Sequence, residues 1–232
     1  MPSLLDSLLA PPHCIGCGAG GPPWCDGCAA SAVADPNVRD LGIPVIAVHR
    51  FEGPLRRAVI AWKEQGRADA RRIVGRWLDA ALHPLIDAMP EAIVVAIPSS
   101  PDAERRRGEA HVERLLSRSW APRVAPGALR SITARADQAG LGRLARARNM
   151  ADAFLWVGPA DRPVIVVDDV ITTGATMRAA ASALRAGGVP DAVGLVLAWR
   201  SESTLLPGGD AGYLGIADKE VHHEHQRHHA ST

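Results

Sequence analysis

The sequence predicts an α/β protein with a central, mostly parallel sheet flanked by helices, and three observations carry that expectation. Two short apolar runs rich in β-branched residues, VIVV at 164–167 and AIVVAI at 92–97, have the character of strands buried on both faces. Helical stripes lie between such runs, the clearest being Ile73, Val74, Trp77, Leu78, Ala81, Leu82 and Leu85 on one face. The chain has 232 residues, 47% of them apolar, which is enough for one large α/β domain and a small appendage. A net charge of +1 argues against a strong overall pull toward nucleic acid or membranes. No apolar run approaches the roughly 18 residues that a membrane span needs. The start MPSLLDSLLAPPH lacks the basic beginning and long apolar core of a signal peptide, so the expected compartment is the cytoplasm. The expected organisation is a four-cysteine region over 1–40, the α/β domain over 41–205 and a flexible histidine-rich tail over 206–232.

In chain order, the first feature is CIGCGAGGPPWCDGC, in which Cys14, Cys17, Cys25 and Cys28 form two C-x-x-C pairs seven residues apart. Two such knuckles can set four thiolates at the corners of a tetrahedron, and the glycines and prolines between them let the backbone turn tightly enough to close it. Zn²⁺ is the expected occupant, ahead of a redox dithiol, which needs one pair, and of disulfides, which a cytosolic chain disfavours. Four sulfur ligands leave no open position, so the role is structural. His13 is adjacent but surplus to the set.

Residues 45–51, VIAVHRF, alternate like a strand, and Leu55, Ala58, Val59 and Trp62 carry a helical stripe into Lys63. Arginine outnumbers lysine by 24 to 2, so Lys63 stands out. It is either a compact ammonium that a site requires or a solvated lysine favoured by the helix C-terminus. The strand over 92–98 leads to Ser99 and Ser100, and then to Arg105, Arg106, Arg107 and Gly108. Between 101 and 148 there are eleven arginines and five acids. Guanidinium groups bind phosphate in bidentate fashion, and a ligand of an open parallel sheet sits beyond the carboxyl ends of its strands. These arginines are therefore candidates for a pyrophosphate group, with a solvated helix face as the alternative for any one of them.

The organising stretch is VIVVDDVITTGAT at 164–176. The apolar run delivers Asp168 and Asp169 to the carboxyl end of a strand. A helical stripe of Met177, Ala180, Ala181 and Leu184 then begins at Thr176 and stops at Gly187 and Gly188. Between them, Thr172, Thr173, Gly174 and Ala175 can turn backbone N–H groups and hydroxyls toward an anion at the helix N-terminus. Two carboxylates beside a phosphate cradle ask for a ligand with a phosphate and either hydroxyls or a metal, and a ribose 5-phosphate meets that demand. Residues 192–198 read as a further strand with Trp199 and Arg200 at its end. Five of the nine histidines then fall between positions 222 and 229, where adventitious metal binding is the simplest role.

The stretch over 164–176 resembles the signature of type I phosphoribosyltransferases, which bind phosphoribosyl pyrophosphate. That resemblance implies that Asp168 and Asp169 take the ribose hydroxyls as the catalytic acids and that Thr172, Thr173, Gly174, Ala175 and Thr176 wrap the 5-phosphate. It also implies Mg²⁺ bridging the ribose hydroxyls and the pyrophosphate, with Lys63, Ser99, Ser100, Arg105 and Arg107 on the pyrophosphate side. Gln138, Leu141, Arg146, Asn149, Ala153 and Phe154 form a second pattern. Together with the four cysteines and the acidic signature, this pattern resembles the ComF family of competence-associated proteins with a type I phosphoribosyltransferase fold. The family implies a link to DNA uptake, with single-stranded DNA and recombination or competence proteins as partners. A non-catalytic accessory protein is thus the alternative to a transferase that moves the phosphoribosyl group to a nitrogen nucleophile. Trp24 and Trp120 are the aromatic candidates for stacking a base in the knuckle and the arginine-rich segment. The family pattern R-x-R-G-F-N-Q is matched by Arg105, Arg107 and Gly108, but Glu109, Ala110 and His111 replace its last three residues.

Overall fold

A computed structural model describes residues 13–99, 110–132 and 153–200 of the chain. Seven strands and five helices occur among them, and they form a mixed α/β architecture. The chain enters through helix α1 (Asp26–Ser31) and strands β1 (Asn37–Asp40) and β2 (Pro44–Arg50). Helices α2 (Gly53–Lys63) and α3 (Ala68–Ala88) then lead to β3 (Ile93–Ala96) and α4 (His111–Leu116). A two-stranded ribbon of β4 (Leu129–Ser131) and β5 (Phe154–Trp156) precedes β6 (Val164–Ile171), α5 (Ala175–Ala186) and β7 (Ala192–Trp199).

The main sheet has the order β1-β2-β7-β6-β3, with β1 antiparallel to β2 and the other pairs parallel. Val164, Ile165, Val166 and Val167 have no exposed surface, as expected of a strand covered on both faces. Their side chains alternate. Ile165 and Val167 pack with α2, α3 and α4 in a core containing Trp62, Leu78 and Leu82, whereas Val164 and Val166 pack with α5 and Trp156 of the ribbon. Burying such side chains on both faces contributes roughly 1.5–3 kcal/mol each before the conformational entropy of ordering them is subtracted.

These layers determine where a ligand can sit. The helix after β3 packs on one face of the sheet and the helix after β6 on the other, and β3 and β6 are neighbours. Adjacent strands whose connections leave to opposite faces open a crevice at their carboxyl ends. Asp168, Asp169 and Ser99 lie at that end.

Three boundaries differ from the sequence reading. The run over 92–98 keeps ladder pairing only over Ile93–Ala96. Strand β6 continues through both aspartates to Ile171, because β7 extends to Trp199 and offers partners that far, with Asp168 opposite Val196 and Val170 opposite Ala198. Helix α5 begins one residue earlier than the stripe suggests, at Ala175, and ends just before Gly187 as expected. No helix among the described residues is long and apolar enough to cross a membrane.

Candidate functional site

Successive residues of a strand point to opposite faces, so Asp168 and Asp169 straddle the end of β6. Asp169 turns to the side of α2, where its Oδ2 lies 2.6 Å from Nζ of Lys63, the last residue of that helix. Their side chains keep 11% and 23% of their surface, so the ion pair is largely shielded from water. Asp168 Oδ1 accepts a hydrogen bond of 2.8 Å from the Asp169 amide. Enclosure of the Asp168 carboxyl, reinforced by the charge of Asp169, raises its pKa to about 7, against the opposing effects of that hydrogen bond and of Lys63. One acid is thus tied to a cation, and the other changes charge near neutrality.

The chain then turns through Thr172, Thr173 and Gly174 into α5. Gly174 occupies the N-cap position with φ 75°, a left-handed conformation, and offers no side chain of its own to cap the helix. A Cβ there would also lie 2.8 Å from Leu41 Cδ1, a contact that the leucine side chain would have to shift to relieve. Thr173 is exposed, and its Oγ1 accepts from the Ala175 amide at 3.3 Å. Ala175 and Thr176 form the half-buried first turn of α5. The loop thus sets backbone amides at a helix N-terminus next to the acids, which is an arrangement suited to an anion.

A hollow of about 250 Å³ opens between α2 and the ends of β6 and β7, lined by Phe51, Val59, Ile60, Lys63, Glu64, Asp169, Val170, Thr172 and Arg200. Three of its surroundings escaped the sequence reading. Arg200 stacks its guanidinium 5.0 Å from the Phe51 ring centre, and Arg56 lies 5.9 Å from the same ring. Arg178, one turn into α5, donates to the Thr173 carbonyl at 2.6 Å and braces the loop from outside. The only signal for Arg178 in the sequence was its place one turn beyond Gly174, and for Arg200 its place at the end of a strand.

Ser99 is half-buried beyond β3, whose Ala96 pairs with Val167. Ser100, Arg105, Arg107, Gly108 and Glu109 lie outside the described residues, as do Gln138, Leu141, Arg146, Asn149 and the histidine-rich tail. His111 opens α4 and is 4% exposed, with its ring edge-on to Trp62 at 5.5 Å, so this departure from the family pattern packs in the core. Trp24 also packs against the core, edge-on to Trp77 at 5.2 Å, whereas Trp120 is 46% exposed beside His83.

The four cysteine thiols lie within 4.8 Å of one another. Tetrahedral Zn²⁺ with Zn–S bonds near 2.3 Å requires sulfurs about 3.8 Å apart. The separations of Cys14 from Cys28 and of Cys17 from Cys25 are 3.6 and 3.7 Å. These residues could therefore hold a metal ion such as zinc. Burial raises the Cys14 thiol, but hydrogen bonds from the amides of Cys25, Cys17 and Gly16 outweigh it and bring the pKa to about 6. Burial, then hydrogen bonds with the neighbouring thiols and the charge of Cys14, push Cys28 far upward. Gly16 sits so close that a Cβ would lie 2.9 Å from Cys28 Cβ. Its carbonyl accepts from Arg57 Nε of α2, which fastens the cluster to the helical layer.

No protein-family model matches the chain. Among curated proteins it is similar to the bifunctional protein PyrR 2 of Lactiplantibacillus plantarum, with 46% identity over 54 residues. The matched stretch spans 23% of this chain and 31% of that protein.

Proposed function

We propose that the protein is a ComF-like, phosphoribosyltransferase-fold protein of the cytoplasm that binds phosphoribosyl pyrophosphate at the end of β6. The observation that carries this reading is the continuity of Asp168 and Asp169 with a left-handed Gly174 and the N-terminus of α5, at the crevice between β3 and β6. The short similarity to PyrR 2, a protein of phosphoribosyltransferase fold, points the same way. In this reading the loop from Thr172 to Thr176 takes the 5-phosphate through its amides and hydroxyls, and the two carboxylates accept hydrogen bonds from the ribose hydroxyls. Ser99, Ser100, Arg105 and Arg107 serve the pyrophosphate side, whereas Lys63, the other residue expected there, is tied to Asp169 and stands with the acids. The four cysteines hold a structural Zn²⁺.

The chemistry proposed for the pocket is displacement at C1 of the ribose. A nitrogen lone pair forms the new bond to C1 while the C1–O bond breaks and its electron pair leaves with pyrophosphate. The nitrogen then sheds its proton to solvent. Mg²⁺, held by the ligand's pyrophosphate and hydroxyls, would neutralise charge on the leaving group. The protein's part is to orient the ribose and to place Asp168 and Asp169 near the positive character that develops around C1.

Calorimetry with phosphoribosyl pyrophosphate and Mg²⁺ tests the binding. The wild type is expected to bind, and the Asp168→Asn/Asp169→Asn protein to lose at least tenfold in affinity. Equal binding by the two proteins would remove the acids from the site. A pyrophosphate-release assay across nucleobases and small amines tests turnover, and silence across the panel would leave a binding protein.

A further inference from the structure

Lys63 is one of two lysines in the chain, and the structure commits it to one contact. Its stem leaves the last turn of α2, whose neighbouring Val59 and Trp62 are fixed in the core, so the ammonium has little freedom to wander. Shielding from water distinguishes this pair from an ordinary surface ion pair, which contributes almost nothing. The contact is also one-sided. Lys63 engages Oδ2 of Asp169, and the Asp169 amide engages Oδ1 of Asp168, so the contacts seen among the described residues fall on one oxygen of each carboxylate. A guanidinium would tend to bridge both oxygens of Asp169, whereas a compact ammonium can hold one. Among the described residues, Lys63 is the cation in contact with the acidic pair.

We infer that Lys63 is a positioning residue that acts through Asp169, fixing which oxygen of that carboxylate meets the ribose and offsetting the charge of the two adjacent acids. This rests on the phosphoribosyl reading of the pocket and goes beyond it. A ligand rich in negative charge must approach two carboxylates, and without Lys63 both the orientation and the charge balance of the pair are lost. The Thr172–Gly174 loop is held separately, by Arg178 and the start of α5, so the two halves of the ligand depend on Lys63 unequally.

The test compares wild type, Lys63→Met and Lys63→Arg, all zinc-loaded and free of Mg²⁺, using ribose 5-phosphate and inorganic phosphate as probes in calorimetry. Lys63→Met is expected to weaken ribose 5-phosphate at least tenfold and inorganic phosphate less than threefold. Lys63→Arg, which restores charge but not the one-oxygen contact, is expected to recover only part of the loss. Carboxyl ¹³C titration of the ligand-free proteins is expected to move Asp168 upward in Lys63→Met. If Lys63→Met fails to fold, Lys63→Gln takes its place: it removes the charge but can still donate to Asp169, so Asp168 is expected to move upward as in Lys63→Met, with a smaller loss of ribose 5-phosphate affinity. Failure of wild type to bind ribose 5-phosphate would overturn the pocket reading itself. Binding by wild type with unchanged affinity and unchanged Asp168 titration in the variant would overturn the inference and leave the pocket reading standing.

Discussion

Replacing Asp168 by asparagine should stabilise the ligand-free protein, and by an amount that depends on pH. The carboxyl titrates near 7 rather than at the ordinary 3.8, because burial and Asp169 disfavour its charge. The native state therefore holds the proton more tightly than the unfolded chain. Stability contributed by this group falls as pH rises from about 4 to about 7, and the cost is fully present above 7. A proton affinity raised about a thousandfold sets a ceiling of about 4 kcal/mol. The residue as a whole is only half-buried, and water admitted beside Asp168 leaves roughly 1–2 kcal/mol of that to be realised. Asparagine keeps an Oδ1 acceptor for the Asp169 amide, so the 2.8 Å hydrogen bond survives while the charge is removed. For a chain of 232 residues this corresponds to a melting temperature about 3–6 °C higher at pH 8. Near pH 4 and below, the carboxyl is largely neutral in both the folded and the unfolded protein and the two curves should nearly coincide, whereas at pH 5 roughly a third of the difference is already present. Thermal unfolding of both proteins with zinc present, at several pH values between 4 and 8, reads the difference, because the groups outside the cluster of Asp168, Asp169 and Lys63 are the same in the two. An Asp168→Asn protein less stable than wild type at pH 8, or a gain that is the same at pH 5, would refute the account of the acidic pair.

Two further outcomes follow from particular contacts. Chelation of the metal, or Cys14→Ser, should lower stability by several kcal/mol and expose Trp24 and Trp77 to solvent, read as a red shift in tryptophan fluorescence. Metal analysis giving far less than one zinc per chain in reduced protein would remove that claim. Gly174→Ala places a side chain on a backbone with φ 75°, so a loss of roughly 1–2 kcal/mol is expected, together with weakened phosphate binding. A variant as stable as wild type in thermal unfolding would show that the loop conformation is not required.

What the sequence made legible follows from how locally each feature is determined. The strand at 164–167 is readable because both of its faces are buried, which leaves no polar residue to interrupt the pattern. The cysteine cluster is readable because spacing alone sets its geometry. The end of β6 was misplaced because aspartate is disfavoured in strands, and only the partner strand β7 explains why pairing continues past Asp168 and Asp169. Helices α1 and α4 span six residues each and the ribbon strands three, too short for either periodicity to register. The contact between Lys63 and Asp169 joins residues far apart in the chain, so the sequence could mark Lys63 as unusual but could not name its partner.

Along β6 and α5 the local rules that fail do so at one place. Two acids stand inside a central strand, one of them with its proton held to about pH 7, and the helix that follows is capped by a left-handed glycine rather than by serine, threonine or aspartate. Each departure costs stability, and none improves the packing around it. Elsewhere along β6 and α5, by contrast, propensity, burial and pairing agree, from Val164 to Val167 and again through Met177, Ala180 and Leu184. Costs gathered at the end of β6, beside a hollow and at a crevice between oppositely connected strands, are what a ligand site imposes on a strand and helix that otherwise agree with their sequence.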